Sequence, residues 1–373
     1  MRFLHLADLH IGRKLKEYSL LDDQKKVLDQ AIDVIKKYHC DEVLIAGDVY
    51  DKSNPSVEAM TLFDNFLTTL SNMKIPVSII SGNHDSAGRI SYFSELLKRN
   101  NITVTTEFKG TLQAVKPSES DIQIYLLPFI TPQRVRPFYP DDSFSTYEEA
   151  VKIVLDHSPI DKSKVNILVA HQFITGGKTC DSEEFSVGGQ DNVSAEIFSD
   201  FDYVALGHLH EPQFCDSAKK IRYAGSPLKY SVSEEKQEKS FTIIDVKGKN
   251  DIVIEEVPIQ LPHNVYTVEG SFHELMKADR TEHFVRILLT DETVIPDARI
   301  MLRSNFPKML NIGLNNAKIK KEWDTPSAEL PESRTPLELF CEFFAMQNNQ
   351  IPPTESQRKL AEEIFEELQE EIS

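Results

Sequence analysis

Five short polar motifs, each directly after a run that reads as a β-strand, constrain this chain more than any other feature. They are Asp8-Leu-His10, Gly47-Asp48-Val-Tyr-Asp51, Gly82-Asn83-His84-Asp85, Ala170-His171 and Gly207-His208-Leu-His210. Loops at the carboxyl ends of strands are where α/β folds place their ligands. Alternation along an extended strand would aim Asp8 and His10 the same way, and His208 and His210 likewise. The glycines ahead of Asp48, Asn83 and His208 suit tight turns where backbone approaches an ion or a phosphate.

The strands that carry these motifs are expected at 3–7, 42–46, 77–81, 165–170 and 203–206, with others at 122–127, 221–224, 241–246 and 252–256. Helical periodicity covers 24–38 and 57–70. The early order is βαβα and the later part is strand-rich. That pattern predicts an α/β (α+β) chain with sheets sandwiched between helices rather than one doubly wound sheet. Pro258 and Pro262 mark a boundary, giving a first domain over 1–262. Residues 263–321 read as a small α+β capping domain with strands at 284–289 and 309–314 and two short helices. Residues 322–334, with Pro326 and Pro331, read as a linker, and 335–373 as a helix-loop-helix tail.

Charge narrows the class of function. The formal net charge is −18. From residue 322 to the last residue there are 13 acids and 3 bases, a net of −10, so the first 321 residues carry −8. Affinity for phosphates rests largely on Lys and Arg, so this balance argues against a free-standing, tight DNA binder. It leaves room for an enzyme that a partner delivers to DNA. No apolar run approaches the roughly 20 residues that span a bilayer. The first residues lack the apolar core and cleavage site of a signal peptide. Cys40, Cys180, Cys215 and Cys341 are scattered with no Cys-x-x-Cys pair, which predicts a cytoplasmic protein without a disulfide framework or a zinc-thiolate site.

The motif residues are imidazoles, carboxylates and one amide. Mixed N/O donors suit octahedral Mn²⁺ or Fe, or Zn²⁺, better than a structural zinc site. Two metals roughly 3.5–4 Å apart need a bridging carboxylate and can clamp the attacking and leaving oxygens of a phosphoryl group. Taken singly, every motif has a plain structural reading as a turn, a cap or a satisfied histidine. That reading fails on the ensemble, because five of the eleven histidines fall inside these motifs.

The order Asp-x-His, Gly-Asp-x-x-Asp, Gly-Asn-His-Asp, His, Gly-His-x-His resembles the calcineurin-like metallophosphoesterase superfamily. Within it the chain is similar to the SbcD family of bacterial double-strand-break-repair exonucleases. The stretches from Asp8 to Leu15, Gly82 to Ser86, Gly207 to Gln213 and Tyr223 to Leu228 carry that likeness. The resemblance implies a four-layer α-β-β-α sandwich. It implies one metal on Asp8, His10 and His210, another on Asn83, His171 and His208, and Asp48 between them. It gives His84 the task of stabilising or protonating the leaving oxygen, with Asp51 orienting it. It also implies exonuclease action on duplex ends and endonuclease action on single strands and hairpins, with two divalent ions, usually Mn²⁺. The implied partner is an SbcC ATPase with a long coiled coil, in an assembly of two copies of each chain.

Arg13, Lys14, Lys16, Arg89 and Lys229, and also Lys219, Lys220 and Arg222, are candidates to hold DNA phosphates, although any one of them reads more readily as a solvated surface charge. Gly176-Gly177 and Gly188-Gly189 bracket an acidic loop that either shapes substrate access or is plain surface. In the tail, Thr335-Pro-Leu-Glu338 and Thr354-Glu-Ser-Gln357 read as capping boxes. Leu337, Phe340, Cys341 and Phe344 form one apolar stripe; Leu360, Ile364 and Leu368 form another. Such stripes either pack back on the chain's own first domain or dock on a partner's helices, and docking is the expectation here. Two rival readings differ in sequence. A protein phosphatase would carry Arg-Gly after the second Asp of the second motif, where this chain has Lys52-Ser53. A metal-free scaffold of the same fold would lack some ligands, and every position is filled.

Overall fold

Along the strand Arg2–Leu6, side chains alternate between two apolar clusters: Phe3 joins one, Leu4 and Leu6 the other. The strand Glu42–Ala46 repeats the pattern, with Leu44 and Ala46 on the first side and Val43 and Ile45 on the second. Both faces of the sheet are therefore covered, which is why these strands read as unbroken apolar runs. The structure, a computed structural model, describes residues 1–92, 94–117, 121–183, 192–249, 251–315, 336–347 and 352–372. It forms two units, residues 1–314 and 315–373.

The first unit holds two six-stranded sheets. One runs in the order Asp251–Pro258, Ser240–Gly248, Arg2–Leu6, Glu42–Ala46, Val77–Ile80, Ile102–Thr105. Its last four strands are mutually parallel, and the first two form an antiparallel hairpin. The other runs Gln213–Phe214, Ile221–Tyr223, Tyr203–Gly207, Val165–His171, Ile122–Leu127, Gln113–Val115, with a parallel centre and antiparallel edges. The sheets meet through Phe3, Leu44 and Ile80 on one side and Ile124, Leu126, Ile167, Val169 and Ala205 on the other. Helices Leu21–Tyr38 and Val57–Asn72 cover the outside of the first sheet with Val27, Ala31, Ile35, Phe63, Phe66 and Leu70. Helix Tyr147–Asp156 covers the second with Ala150, Val151 and Val154. This is the expected α-β-β-α layering. His5 lies between the sheets, bonded to the Tyr203 hydroxyl at 3.3 Å and the Leu206 carbonyl at 3.1 Å, with burial pushing its pKa down to about 3.

A third, all-parallel sheet joins Val265–Gly270, Phe284–Leu289 and Met309–Leu314. It has its own small core around Val285, Ile287, Leu302 and Met309. Yet Val265, Phe284 and Leu310 pack into the core of the first sheet, and Tyr18 donates to the Pro307 carbonyl at 2.9 Å. The boundary expected at 262 thus falls inside one unit. The strand Val265–Gly270 is additional to the two expected there, as Ile102–Thr105 is in the first sheet; each is a short apolar run just after a turn-like stretch.

In the second unit, helices Pro336–Gln347 and Glu355–Ile372 meet through Phe340 and Phe365, whose rings lie 6.3 Å apart. A groove of about 240 Å³ runs between them, lined by Phe340, Phe344, Leu360, Ala361 and Phe365. Thr354 forms a capping box: its hydroxyl accepts from Gln357 N at 3.4 Å, and its own N–H donates to Gln357 Oε1 at 2.9 Å. The first capping residue Thr335, the linker 322–334, the glycines 188–189 and the side chains of Ile364 and Leu368 lie outside the described residues. No helix among the described residues is long and apolar enough to cross a membrane.

Candidate metal centre

The first sheet delivers Asp8 and His10 after Arg2–Leu6, Asp48 after Glu42–Ala46, and Asn83 and His84 after Val77–Ile80. The second delivers His171 at the end of Val165–His171, and His208 and His210 after Tyr203–Gly207. The reason Asp8 and His10 share a direction is not strand alternation. Both lie past the strand end with left-handed backbone, φ 51° and 41°, as does Asp48 at 50°. Such conformations are costly for side-chain-bearing residues and cluster at functional sites. Two glycines let the sheets close. Gly47 has φ 86°, and a Cβ there would meet His171 Nδ1 at 2.5 Å. A Cβ on Gly207 would run into the Ala46 carbonyl oxygen.

Bonds across the seam bring the two sets together. His171 Nδ1 donates to the Ala46 carbonyl at 2.8 Å, and His208 N donates to Asp8 Oδ1 at 2.9 Å. A carbonyl can only accept, so in the neutral ring His171 Nε2 carries a lone pair. That lone pair faces Asn83 Oδ1 at 3.0 Å and Asp48 Oδ2 at 3.4 Å. Asn83 Oδ1 also lies 3.2 Å from His208 Nδ1. On the other side, His10 Nε2 and His210 Nε2 are 3.1 Å apart, and Asp48 Oδ2 is 3.7 Å from His10 Nε2. Asp8 Oδ2 and His10 Nδ1 are buried without a hydrogen-bond partner. Acceptors crowded on acceptors, with an unmatched buried carboxylate oxygen, are what a cation would reconcile. Asp8, His10 and His210 form one potential ligand group; Asp48 joins His10 and His84 in a second, and Asp8 and His171 in a third. The donor set fits divalent ions.

Electrostatics agree. Burial pushes His208 down to about 3 and takes His10 and His210 below the usual imidazole range, so all three are neutral. Burial opposes ionisation of Asp48, but His171, by its charge and its hydrogen bond, overcomes it and holds the carboxyl well below its usual range. Burial would lower His171, yet Asp48 and Asp8 carry it up to about 9. Without a cation, a proton on His171 partly fills that role.

His84 lies at the mouth, its Nε2 4.0 Å from Asp48 Oδ2 and its ring 4.9 Å from that of His10. Asp51 pairs with Arg13 at 3.1 Å. His84, Asp51, Arg13, Lys14, Lys16 and Lys52 all line one cleft of about 1400 Å³. Arg13 is held there by Asp51, by the Ser182 carbonyl at 3.2 Å and by the Tyr230 ring at 5.2 Å. The other phosphate candidates lie differently. Arg89 is exposed on the short helix Ala87–Ile90. Lys219 and Lys220 are exposed, and Lys220 lines a separate pocket with Phe198 and Phe201. Arg222 is buried against Thr242 and Phe214 and pairs with Glu256, and Lys229 donates to the Glu235 carbonyl. Both are turned to the protein itself, so a role in holding phosphate is withdrawn for these two.

Residues to which the motifs assigned no role surround the candidate ligands. Asp85 accepts from the backbone N–H groups of Val49, Tyr50 and Gly82, tying the Asp48 loop to the Asn83 loop. Ser182, Glu183, Glu234 and Lys239 gather behind His210. Only the adjacency of Asp85 to Asn83-His84 was a signal; the others share no spacing with the motifs.

With this geometry, two family models match the chain. Calcineurin-like phosphoesterase matches residues 1–212, and type 5 capsule protein repressor C-terminal domain matches residues 262–348. The chain belongs to the calcineurin-like phosphoesterases, a family that uses divalent metals. It is 33% identical over 341 residues to the SbcD component of the Staphylococcus epidermidis nuclease SbcCD, covering 87% of this chain and 90% of that one. The corresponding component of the Staphylococcus saprophyticus nuclease SbcCD is 33% identical over 318 residues, with 83% and 84% covered. Within the superfamily, the chain therefore belongs to the SbcD family. A solved dimetal phosphatase from Danio rerio is 11% identical, with a TM-score of 0.40 over 70% of this chain and 99% of that one.

Proposed function

We propose that the chain is a two-metal DNA nuclease that works with an SbcC ATPase in DNA repair, cutting duplex ends as an exonuclease and single strands and hairpins as an endonuclease. The observation that carries this is the convergence of seven N/O donors on the seam between the sheets, with Asp48 facing ligands on both sides. Asp8, His10 and His210 hold one ion; Asn83, His171 and His208 hold the other; Asp48 lies between them. Bound there, two divalent ions, Mn²⁺ by preference, lower the pKa of water and neutralise charge on the phosphoryl oxygens. The chain's own groups do the rest. His84, beside Asp48 at the cleft mouth, holds a proton where the leaving oxygen departs. Asp51 pairs with Arg13 in the cleft that His84 also lines, and in this reading it orients His84. Arg13, Lys14 and Lys16 line the same cleft and face the DNA backbone.

Activity decides between this reading and a phosphatase. The full chain with Mn²⁺ should cleave hairpin DNA and bis-p-nitrophenyl phosphate and leave a phosphoprotein intact, and a chelator should abolish both cleavages. Release of phosphate from the phosphoprotein with intact DNA would overturn it.

The tail supports a partner role. Leu360, which lines the groove between the helices, is 58% exposed, and Phe343 is 62% exposed. Two short helices that leave this much apolar surface open suit helix-in-groove docking. Leu337, Phe340 and Phe344, with Leu360, Ile364 and Leu368, would meet the base of the SbcC coiled coil, 322–334 serving as linker and 263–321 as a cap facing DNA. Deleting residues 330–373 should spare Mn²⁺-dependent hydrolysis of the small phosphodiester and abolish co-purification with SbcC. Full-strength binding by the truncated chain would refute the docking.

A further inference from the structure

Lys239 is fully buried, and its ammonium contacts Glu234 Oε2 at 2.6 Å, the His210 carbonyl at 2.8 Å and Ser226 Oγ at 2.9 Å. The other carboxylate oxygen, Glu234 Oε1, accepts from Ser182 Oγ at 2.6 Å and from Tyr230 N at 3.0 Å. A serine hydroxyl has one proton. With that proton spent on Glu234, Ser182 Oγ can only accept from His210 Nδ1, 2.8 Å away. Cys180 Sγ approaches the same oxygen at 3.0 Å, where a thiol also serves as donor. The backbone of His210 is gripped as well: its N–H donates to Glu183 Oε1 at 2.6 Å.

We propose that Lys239, Glu234 and Ser182 act as a positioning chain that fixes His210 as its Nδ1–H tautomer, so that the Nε2 lone pair points into the seam. The inference rests on the reading of His210 as a ligand, given above. Each link forces the next. The buried ammonium keeps Glu234 an acceptor, Glu234 takes the serine proton, and the serine oxygen demands an N–H on Nδ1. The free lone pair is then on Nε2, the nitrogen 3.1 Å from His10 Nε2. Ligand histidines elsewhere are oriented by an acceptor on their second nitrogen, and loss of that acceptor typically costs about 10–100-fold in metal affinity. Here the acceptor sits on the acidic loop after His171, which gives that loop a task unrelated to substrate access.

The test is nitrogen-15 NMR of histidine-labelled, metal-free full chain, with His210→Gln assigning the signal, alongside Mn²⁺ titration followed by electron paramagnetic resonance. The wild type should show His210 protonated at Nδ1. Ser182→Ala should give a mixture of tautomers and weaken one of the two Mn²⁺ sites about 10–100-fold, and Ser182→Thr, which keeps the hydroxyl, should restore both. A wild-type His210 protonated at Nε2 would overturn the chain whatever the variants do. So would a Ser182→Ala protein with unchanged tautomer and Mn²⁺ affinity. Failure of the wild type to bind Mn²⁺ strikes instead at the metal reading, and the tautomer signal still decides the chain.

Discussion

The two halves of the centre are chemically unlike. The first sheet supplies every anionic oxygen and the amide, from loops bent into left-handed backbone at Asp8, His10 and Asp48. The second supplies imidazoles alone, and one of them, His171, still lies within its strand. Neither half is a site by itself: the first half has the charge but only His10 and His84 among its imidazoles, and imidazoles without carboxylates would lack charge for a divalent ion. Assembling the site only when the sandwich closes makes metal binding a report on correct packing of the seam.

Asp48 is where that comparison breaks most sharply, because it faces His10 and His171 from opposite halves. Asp48→Ala should lose both ions and reduce cleavage to background while circular dichroism and the unfolding midpoint stay near wild type. Near-normal Mn²⁺-dependent cleavage would sink the two-metal assignment. His84→Ala should separate binding from turnover. Both ions remain, calorimetry shows wild-type stoichiometry, and the rate falls roughly 10²–10⁴-fold, the usual worth of general-acid help. Loss of metal in that variant would refute the division of labour. Asp51→Asn should cost less, about tenfold, because it weakens a partly exposed ion pair with Arg13 rather than removing a reacting group. An unchanged rate would remove Asp51 from the machinery.

Much of this was legible in the residues, and the exceptions have physical reasons. The strands under the motifs could be read because both faces of each sheet are buried, so Val43 to Ala46 and Val165 to Ala170 are apolar almost without interruption. The candidate ligands could be read as a set because they all follow such strands. Their geometry could not: alternation gave a right direction for Asp8 and His10 by a wrong mechanism, since left-handed φ values leave no mark in residue order. The chain behind His210 was invisible. Ser182 is brought to Glu234 by tertiary folding across 52 residues, with no periodicity to announce it. Arg222 and Lys229 show the reverse error, since basic residues near a motif can be committed to the protein's own interior.

The smallest effect expected concerns a second buried acid on the strand Glu42–Ala46. Asp48 follows one end of that strand and meets His171, which keeps it ionised. Glu42 begins the other end, where it accepts a hydrogen bond from the Ser78 hydroxyl at 2.8 Å. Burial there pushes Glu42 from 4.5 up to about 7, with Ser78 opposing the shift only weakly. The folded-state value lies above the unfolded one, so the protonated acid favours folding below about 4.5, and that contribution is lost as pH rises towards about 7. Above that, an ionised carboxylate remains in an apolar strand end at a cost of up to about 3 kcal/mol. Glu42→Gln keeps the shape and an acceptor for Ser78 and cannot ionise. Its stability relative to wild type should therefore rise between pH 5 and pH 8, by up to that amount, in denaturant unfolding of the metal-free chain. A difference that stays constant across this range would show that Glu42 does not carry the shift, and that the contrast between the two ends of the strand lies in the metal site alone.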